Sequence, residues 1–226
     1  MVETLRQIWS GSVLDLSTRA TIFGPVFLCY LGVVRVLRFR RSKVVIAKLG
    51  MHSRSDYASL TVDQAQEILQ GLAEWEFSKI FRASVLFALI RIHDVPSVSR
   101  LLVSTSSLVD IERISKRTAD TGVLVLEFCI NRPSSQRSKE AINRMNSSYE
   151  QYIHREEVSQ ADMLYTLSLF ALEPVRFLQP YEWRPMNELE RCAAGTFWKA
   201  MGEELNLDYS KVVPRFEGDF TDGLTF

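Results

Sequence analysis

The sequence predicts an all-α fold, a multi-helix bundle behind an N-terminal membrane anchor helix, and three observations carry that prediction. Apolar residues recur at three- and four-residue spacing along most of the chain from Thr61 to Asn206, the period of a helix with one buried face. Only 7 prolines and 10 glycines punctuate 226 residues, so breaks are few and helices long. Finally, the uncharged run Ala20 to Val34 is followed at once by a block containing Arg35, Arg38, Arg40, Arg41 and Lys43.

Taken in order, residues 1–19 form a short polar lead. Residues 20–37 are the anchor, in which Arg35 lies near enough to one end to snorkel. Fifteen uncharged residues fall short of the ~20 of a comfortable span, and Gly24-Pro25 suits a buried or interfacial helix as well as a spanning one. Basic residues after the apolar run, not before it, speak against a cleaved signal peptide and keep the body on the cytosolic side. Residues 38–60 then make a basic linker, 61–209 the helical domain, and 210–226 an irregular tail.

Within the domain, Thr61 and Gln64 make a capping-box pair opening a helix that Asp94-Val95-Pro96 stops. A short helix follows from Ser97 to about Ser104. The next covers Val109 to Ile130, whose last eight residues are apolar except Glu127, so a strand is an alternative there. A fourth runs from Ser135 to His154. The fifth, capped at Ser159 and nearly continuously apolar to Pro174, reads as the central buried helix. Asn187 and Glu190 open a sixth, which ends near Asn206.

Composition narrows the function. Basic and acidic residues balance at 27 each, which leaves no excess charge for nucleic acid. Three cysteines without a CxxC pair suggest neither a disulfide framework nor a zinc site. No phosphate loop, GxGxxG, GxSxG or HExxH occurs. His52 lies in a polar segment, His93 caps a helix end beside Asp94, and His154 sits among charges. Glu127 and Glu173 lie in apolar surroundings, where a carboxylate needs a partner, and Arg176 or Arg184 is the ordinary one for Glu173. Arg117 and Thr121, one turn apart, face the same way, a spacing that suits an anion or cofactor as well as plain surface.

Several stretches then agree in order with one family. DMLYTLSLFALEPVRFLQPYEWRPMNELERCAAGTFWKAMGEEL (Asp162 to Leu205), FALIRIHDVPSVSRLLVST (Phe87 to Thr105), ISKRTADTGVLVLEF (Ile114 to Phe128) and EAINRMN (Glu140 to Asn146) resemble the fungal membrane-bound oxygenases of the mycophenolic-acid type. These are distant relatives of the bacterial latex-clearing protein, a haem rubber oxygenase. The resemblance covers about Ala20 to Tyr209. It implies an endoplasmic-reticulum anchor passing once through the membrane, with the body facing the cytosol. It also implies haem b, dioxygen as co-substrate, and oxidative attack or cleavage at an alkene of an apolar prenylated or polyketide-derived metabolite.

By the same resemblance, Arg117 and Thr121 occupy an Arg-x-x-x-Thr pair beside the haem, with Asp120 between them. The haem histidine of the family's R-M-N-x-x-H-x-x-Y pattern falls on Tyr149, in RMNSSYEQY. Three readings stay open: a tyrosinate as metal ligand, His154 in its place (about 140° off that face), or loss of the haem. Glu127 is a further pocket candidate, as base or ion-pair partner. The tail RFEGDFTDGLTF does not follow the family, as though the chain were shortened. A catalytically impaired relative that binds a lipid-like metabolite or a partner is therefore the alternative expectation.

Overall fold

The computed structural model describes residues 16–105, 111–154, 158–213 and 222–225, and every regular element among them is helical. The chain divides into two compact units, Met1–Val45 and Ile46–Phe226.

The first unit is built on α1, Leu16–Arg38, 23 residues long with Pro25 inside it and Arg35 and Arg38 in its last turn. Those cations complement the negative end of the helix. Phe23, Phe27, Leu28 and Tyr30 stand exposed along it. Among the described residues no helix is long and apolar enough to cross a membrane, so the spanning anchor expected over 20–37 is not supported. Length is not the reason, because 23 residues rise ~34 Å. The apolar run is diluted within the same helix by Ser17, Thr18, Arg19, Arg35 and Arg38.

The residues expected to form a basic linker fold into α2 (Arg40–Leu49) and α3 (Arg54–Tyr57). Gly50, at φ 65°, occupies the left-handed position that ends α2, where any Cβ would be strained. In the second unit, α4 (Val62–Gly71) opens as the sequence predicts. Thr61 Oγ1 accepts from Gln64 N at 3.3 Å, and Gln64 Oε1 accepts from Thr61 N at 3.0 Å.

The single helix expected from Thr61 to Asp94 is instead two. A π-helical turn, Leu72–Glu76, follows α4, and Phe77 (φ −127°, ψ 32°) breaks the path before α5, Ser78–Arg91. The wider turn holds both Leu72 and Phe77 in the core and delivers Glu76 to Arg184. Next come α6 (Pro96–Thr105), α7 (Ile111–Ile130), α8 (Gln136–His154), α9 (Gln160–Tyr181), α10 (Glu188–Glu204) and the short α11 (Tyr209–Val212). The Val123 to Ile130 run is therefore helix, not strand. Capping boxes at Ser159/Asp162 and Asn187/Glu190 start α9 and α10, as their sequences require.

Helix α9 packs chiefly on α5, α10 on α4, and α7 on α8, with α9 and α10 also in contact. The most buried helix is α10, not α9. Leu189, Cys192, Ala193, Phe197, Trp198 and Met201 are all inside, whereas α9 exposes Tyr165, Leu172 and Tyr181. Small residues on α10 explain both the misreading and the packing. Ala193, Ala194 and Gly195 let neighbours approach closely but score as weakly apolar. Gly195 lies against the Gly223 backbone so tightly that a Cβ would overlap it. Trp198 forms the centre, stacked on Phe170 (5.4 Å) and edge-on to Phe128 and Phe197.

Buried polar groups tie the helices together. Arg184, 1% exposed, is bidentate to Glu190 (2.7 and 2.8 Å), reaches Glu76 at 2.6 Å, and lies 4.9 Å from the Phe77 ring centre. Burial works against its charge, but the two carboxylates outweigh burial and hold its pKa above the usual arginine value. Gln66, buried on α4, donates to the Cys129 and Ile130 carbonyls at the end of α7, which no helical partner satisfies.

Candidate functional site

Arg117, Thr121 and Glu127 fall on α7 and Tyr149 on α8, the two helices joined by the turn 131–135. The hairpin is closed by Glu127. Arg137 Nε and Nη2 donate to its two carboxylate oxygens at 2.6 and 2.8 Å, and Asn131 Nδ2 donates at 3.0 Å. Hydrogen bonds from Arg137 hold the Glu127 carboxyl below the usual glutamate range. A general base near neutrality needs a carboxyl shifted the other way. Glu127 is thus engaged as an ion-pair partner that links α7 to α8.

Along the hairpin, Arg117 lies 13 residues before the end of α7 at Ile130, and Tyr149 lies 13 residues after the start of α8 at Gln136. At 1.5 Å per residue both backbones stand ~20 Å from the closed end, one on each helix. The side chains of Arg117 and Tyr149 lie outside the described residues, as does that of His154. Thr121, one turn nearer the closed end on α7, is half-buried, and Asp120 beside it is exposed.

Glu173 is 3% exposed at its side chain and carries two partners, Arg91 from α5 and Arg176 at 3.1 Å. Arg176 was expected; Arg91, 82 positions away, has no local signal in the sequence. Arg184, the other expected partner, goes to Glu76 and Glu190 instead. Tyr165 extends the cluster, its hydroxyl 3.3 Å from Arg91.

A polar cavity of about 230 Å³ lies elsewhere, between the α3–α4 corner, α10 and the 222–225 turn, lined by Tyr57, Leu60, Thr196, Lys199, Glu203 and Asp222. Its walls come from three separate stretches, so no spacing in the sequence announces it. The close approach of Gly195 to Gly223 is the one local hint.

Whether these residues fit a haem can be tested on their own chemistry. His52 is exposed, and His93 is turned to its own helix, with Nδ1 3.1 Å from the Leu89 carbonyl. Burial pushes the Cys129 thiol up to about 12 and the Cys192 thiol upward too, away from the thiolate that binds iron. The 230 Å³ cavity is below the ~300 Å³ at which ligand pockets begin. Among the described residues no group of three or more His, Cys, Asp or Glu side chains could hold a metal ion. The Nδ1–carbonyl bond of His93 is of the kind that metal-ligating histidines make, so His93 keeps Nε2 as a donor for iron.

No protein-family model matches the chain, and no solved structure does. Three curated proteins do. The chain is 36% identical over 199 residues to the ER-bound oxygenase mpaB of Penicillium roqueforti, covering 88% of this chain and 66% of that protein. It is also 36% identical to mpaB of Penicillium brevicompactum (90% and 52%) and to mpaB' of the same fungus (84% and 45%). An all-helical body related in sequence to fungal oxygenases is the class so defined. More particularly, the chain belongs to the mpaB-like family of ER-bound oxygenases. It spans between 45% and 66% of the length of these three relatives.

Proposed function

We propose that this protein is an oxygenase that attacks or cleaves an alkene in an apolar, prenylated or polyketide-derived metabolite, using haem b and dioxygen, at the membrane of the endoplasmic reticulum. The observation that carries the reading is the register of the α7–α8 hairpin. Its two helices bring the Arg117/Thr121 pair and Tyr149 to neighbouring levels, in a chain 36% identical to named oxygenases over 88% of its length. Haem supplies oxygen chemistry that no side chain provides. In this reading Tyr149 stands at the metal position, Arg117 and Thr121 line the cofactor side, and Glu127 keeps the helices in register. The name ER-bound carried by the relatives, and the cationic end of α1, support residence at a membrane with the body on the cytosolic side.

One observation favours a second reading. With Tyr149 in the histidine slot, a family member that binds its apolar ligand without turnover is the alternative. Oxygen uptake separates the two. The full chain, supplied with haem and a prenylated aromatic in detergent, consumes dioxygen and yields a carbonyl-containing fragment if it is an oxygenase. Saturable binding of the prenylated compound without oxygen uptake would establish the second reading.

A further inference from the structure

Helices α5 and α9 form an antiparallel pair. Arg91, at the end of α5, meets Tyr165 and Glu173 of α9, while Phe87, one turn earlier, packs on Phe177, one turn beyond Glu173, at 5.1 Å. Each helix leaves one stripe uncovered. On α5 the exposed residues are Lys79, Arg82, Ala83, Leu86, Phe87 and Ile90, spaced by three and four. On α9 they include Tyr165, Leu172 and Arg176, again spaced by helical turns. The stripes adjoin across the pair, where Phe87 touches Phe177 and Tyr165 meets Arg91.

The exposure is substantial: Leu86 59%, Ile90 58% and Leu172 47%. At the end where α5 begins and α9 finishes, Trp75 (70%), Tyr181 (67%) and Trp183 (41%) stand out. Contiguous apolar surface of this kind marks a docking site. The charges say what docks. Between Ser78 and Arg91 there are three cations and no acid, and α9 holds two acids, Asp162, half-buried in its first turn, and Glu173, buried under Arg91 and Arg176. The surface that remains is aliphatic, fringed by tryptophan and tyrosine, and its exposed charges from these two helices are Lys79, Arg82 and Arg176. Glu74, beside Trp75, lies on the preceding turn and is engaged by Gln70. A bilayer has the complementary profile: acyl chains, an interface that collects Trp and Tyr, and anionic headgroups that attract Lys and Arg.

We propose that the outer face of the α5–α9 pair is a membrane-docking surface of the helical body, acting on anionic bilayers independently of α1. It stands apart from the oxygenase reading, since lipid binding requires neither haem nor turnover.

The test is partition of the full chain onto vesicles of phosphatidylcholine with and without phosphatidylserine, using lipids brominated in the acyl chain as quenchers. The expected result is preference for anionic vesicles and quenching that is lost in a W75F/W183F variant. K79E/R82E should weaken partition ~10-fold or more at low salt, since each basic residue near such a surface is worth ~1 kcal/mol. L86E/I90E should abolish the Trp75 and Trp183 quenching even if α1 keeps the chain on the vesicle. I90A, which leaves helicity by circular dichroism intact, should weaken it partially. Undiminished quenching in L86E/I90E would overturn the proposal. So would a self-association of the wild type that L86E/I90E disrupts with vesicle partition unchanged, which would make this face a contact between copies. Oxygen uptake in detergent, unaffected by these variants, keeps failure here distinct from failure of the oxygenase reading.

Discussion

Arg184 is the residue whose local chemistry most constrains the whole. It follows Trp183 in a non-helical stretch, yet it is among the most buried side chains, bonded to a carboxylate on each of two separate elements. Its fork satisfies Glu190, which also accepts from Asn187 N at the start of α10, and Glu76, which the π turn presents. Removing the guanidinium leaves two buried carboxylates without their counter-charge. Arg184→Met should therefore cost about 3–5 kcal/mol of stability, read as a shift in urea midpoint at unchanged slope. Arg184→Lys should recover little, because one ammonium cannot reproduce the bidentate contact. A loss under ~1 kcal/mol for Arg184→Met would mean the carboxylates relax to water or protonate. Neither Glu76 nor Arg184 was legible as a pair from the sequence, since 108 positions separate them and nothing local links them. The capping boxes at Thr61 and Asn187 and the cap at Ser159 were legible, because such pairs lie within four residues, and the structure adds Asp162 as the partner of Ser159.

At the scale of elements, the helices from Thr61 to Asn206 and most of their boundaries could be read from periodicity and caps, whereas the helices Arg40–Leu49 and Arg54–Tyr57 fall in the stretch read as a linker. The break at Leu72–Phe77 and the centrality of α10 are set by what packs against them, not by their own pattern. In the sequence, Arg117, Thr121 and Tyr149 stand out only through the ordering of motifs, and Arg91 and the cavity walls, which come from chain distant in sequence, do not stand out at all. The α7–α8 hairpin makes a pH prediction. Arg137 depresses the Glu127 pKa, so the pair's contribution is complete above the ordinary glutamate value of 4.5 and is lost as pH falls through the depressed one. Glu127→Gln should lower stability at neutral pH and flatten its decline between about pH 5 and 3. Equal acid sensitivity in variant and wild type would show that the pair does not close the hairpin. Thermal melts across that range make the comparison.

For the whole molecule, the family, the all-helical body and the hairpin register point to a single question: whether iron is held at position 149. Burial keeps Cys129 and Cys192 as thiols, while His93, with Nδ1 on the Leu89 carbonyl, keeps Nε2 as a competing donor. The N-terminal helix and the α5–α9 face bear on where the protein works, and position 149 on whether it performs oxygen chemistry. An absorption spectrum of the full chain reconstituted with haem in detergent, beside Tyr149→His and Tyr149→Phe, decides it most directly. The expected result is a Soret band in the wild type that shifts in Tyr149→His and collapses in Tyr149→Phe. Identical spectra in all three proteins, or no haem uptake by any of them, would contradict ligation at this position and leave the ligand-binding reading in its place.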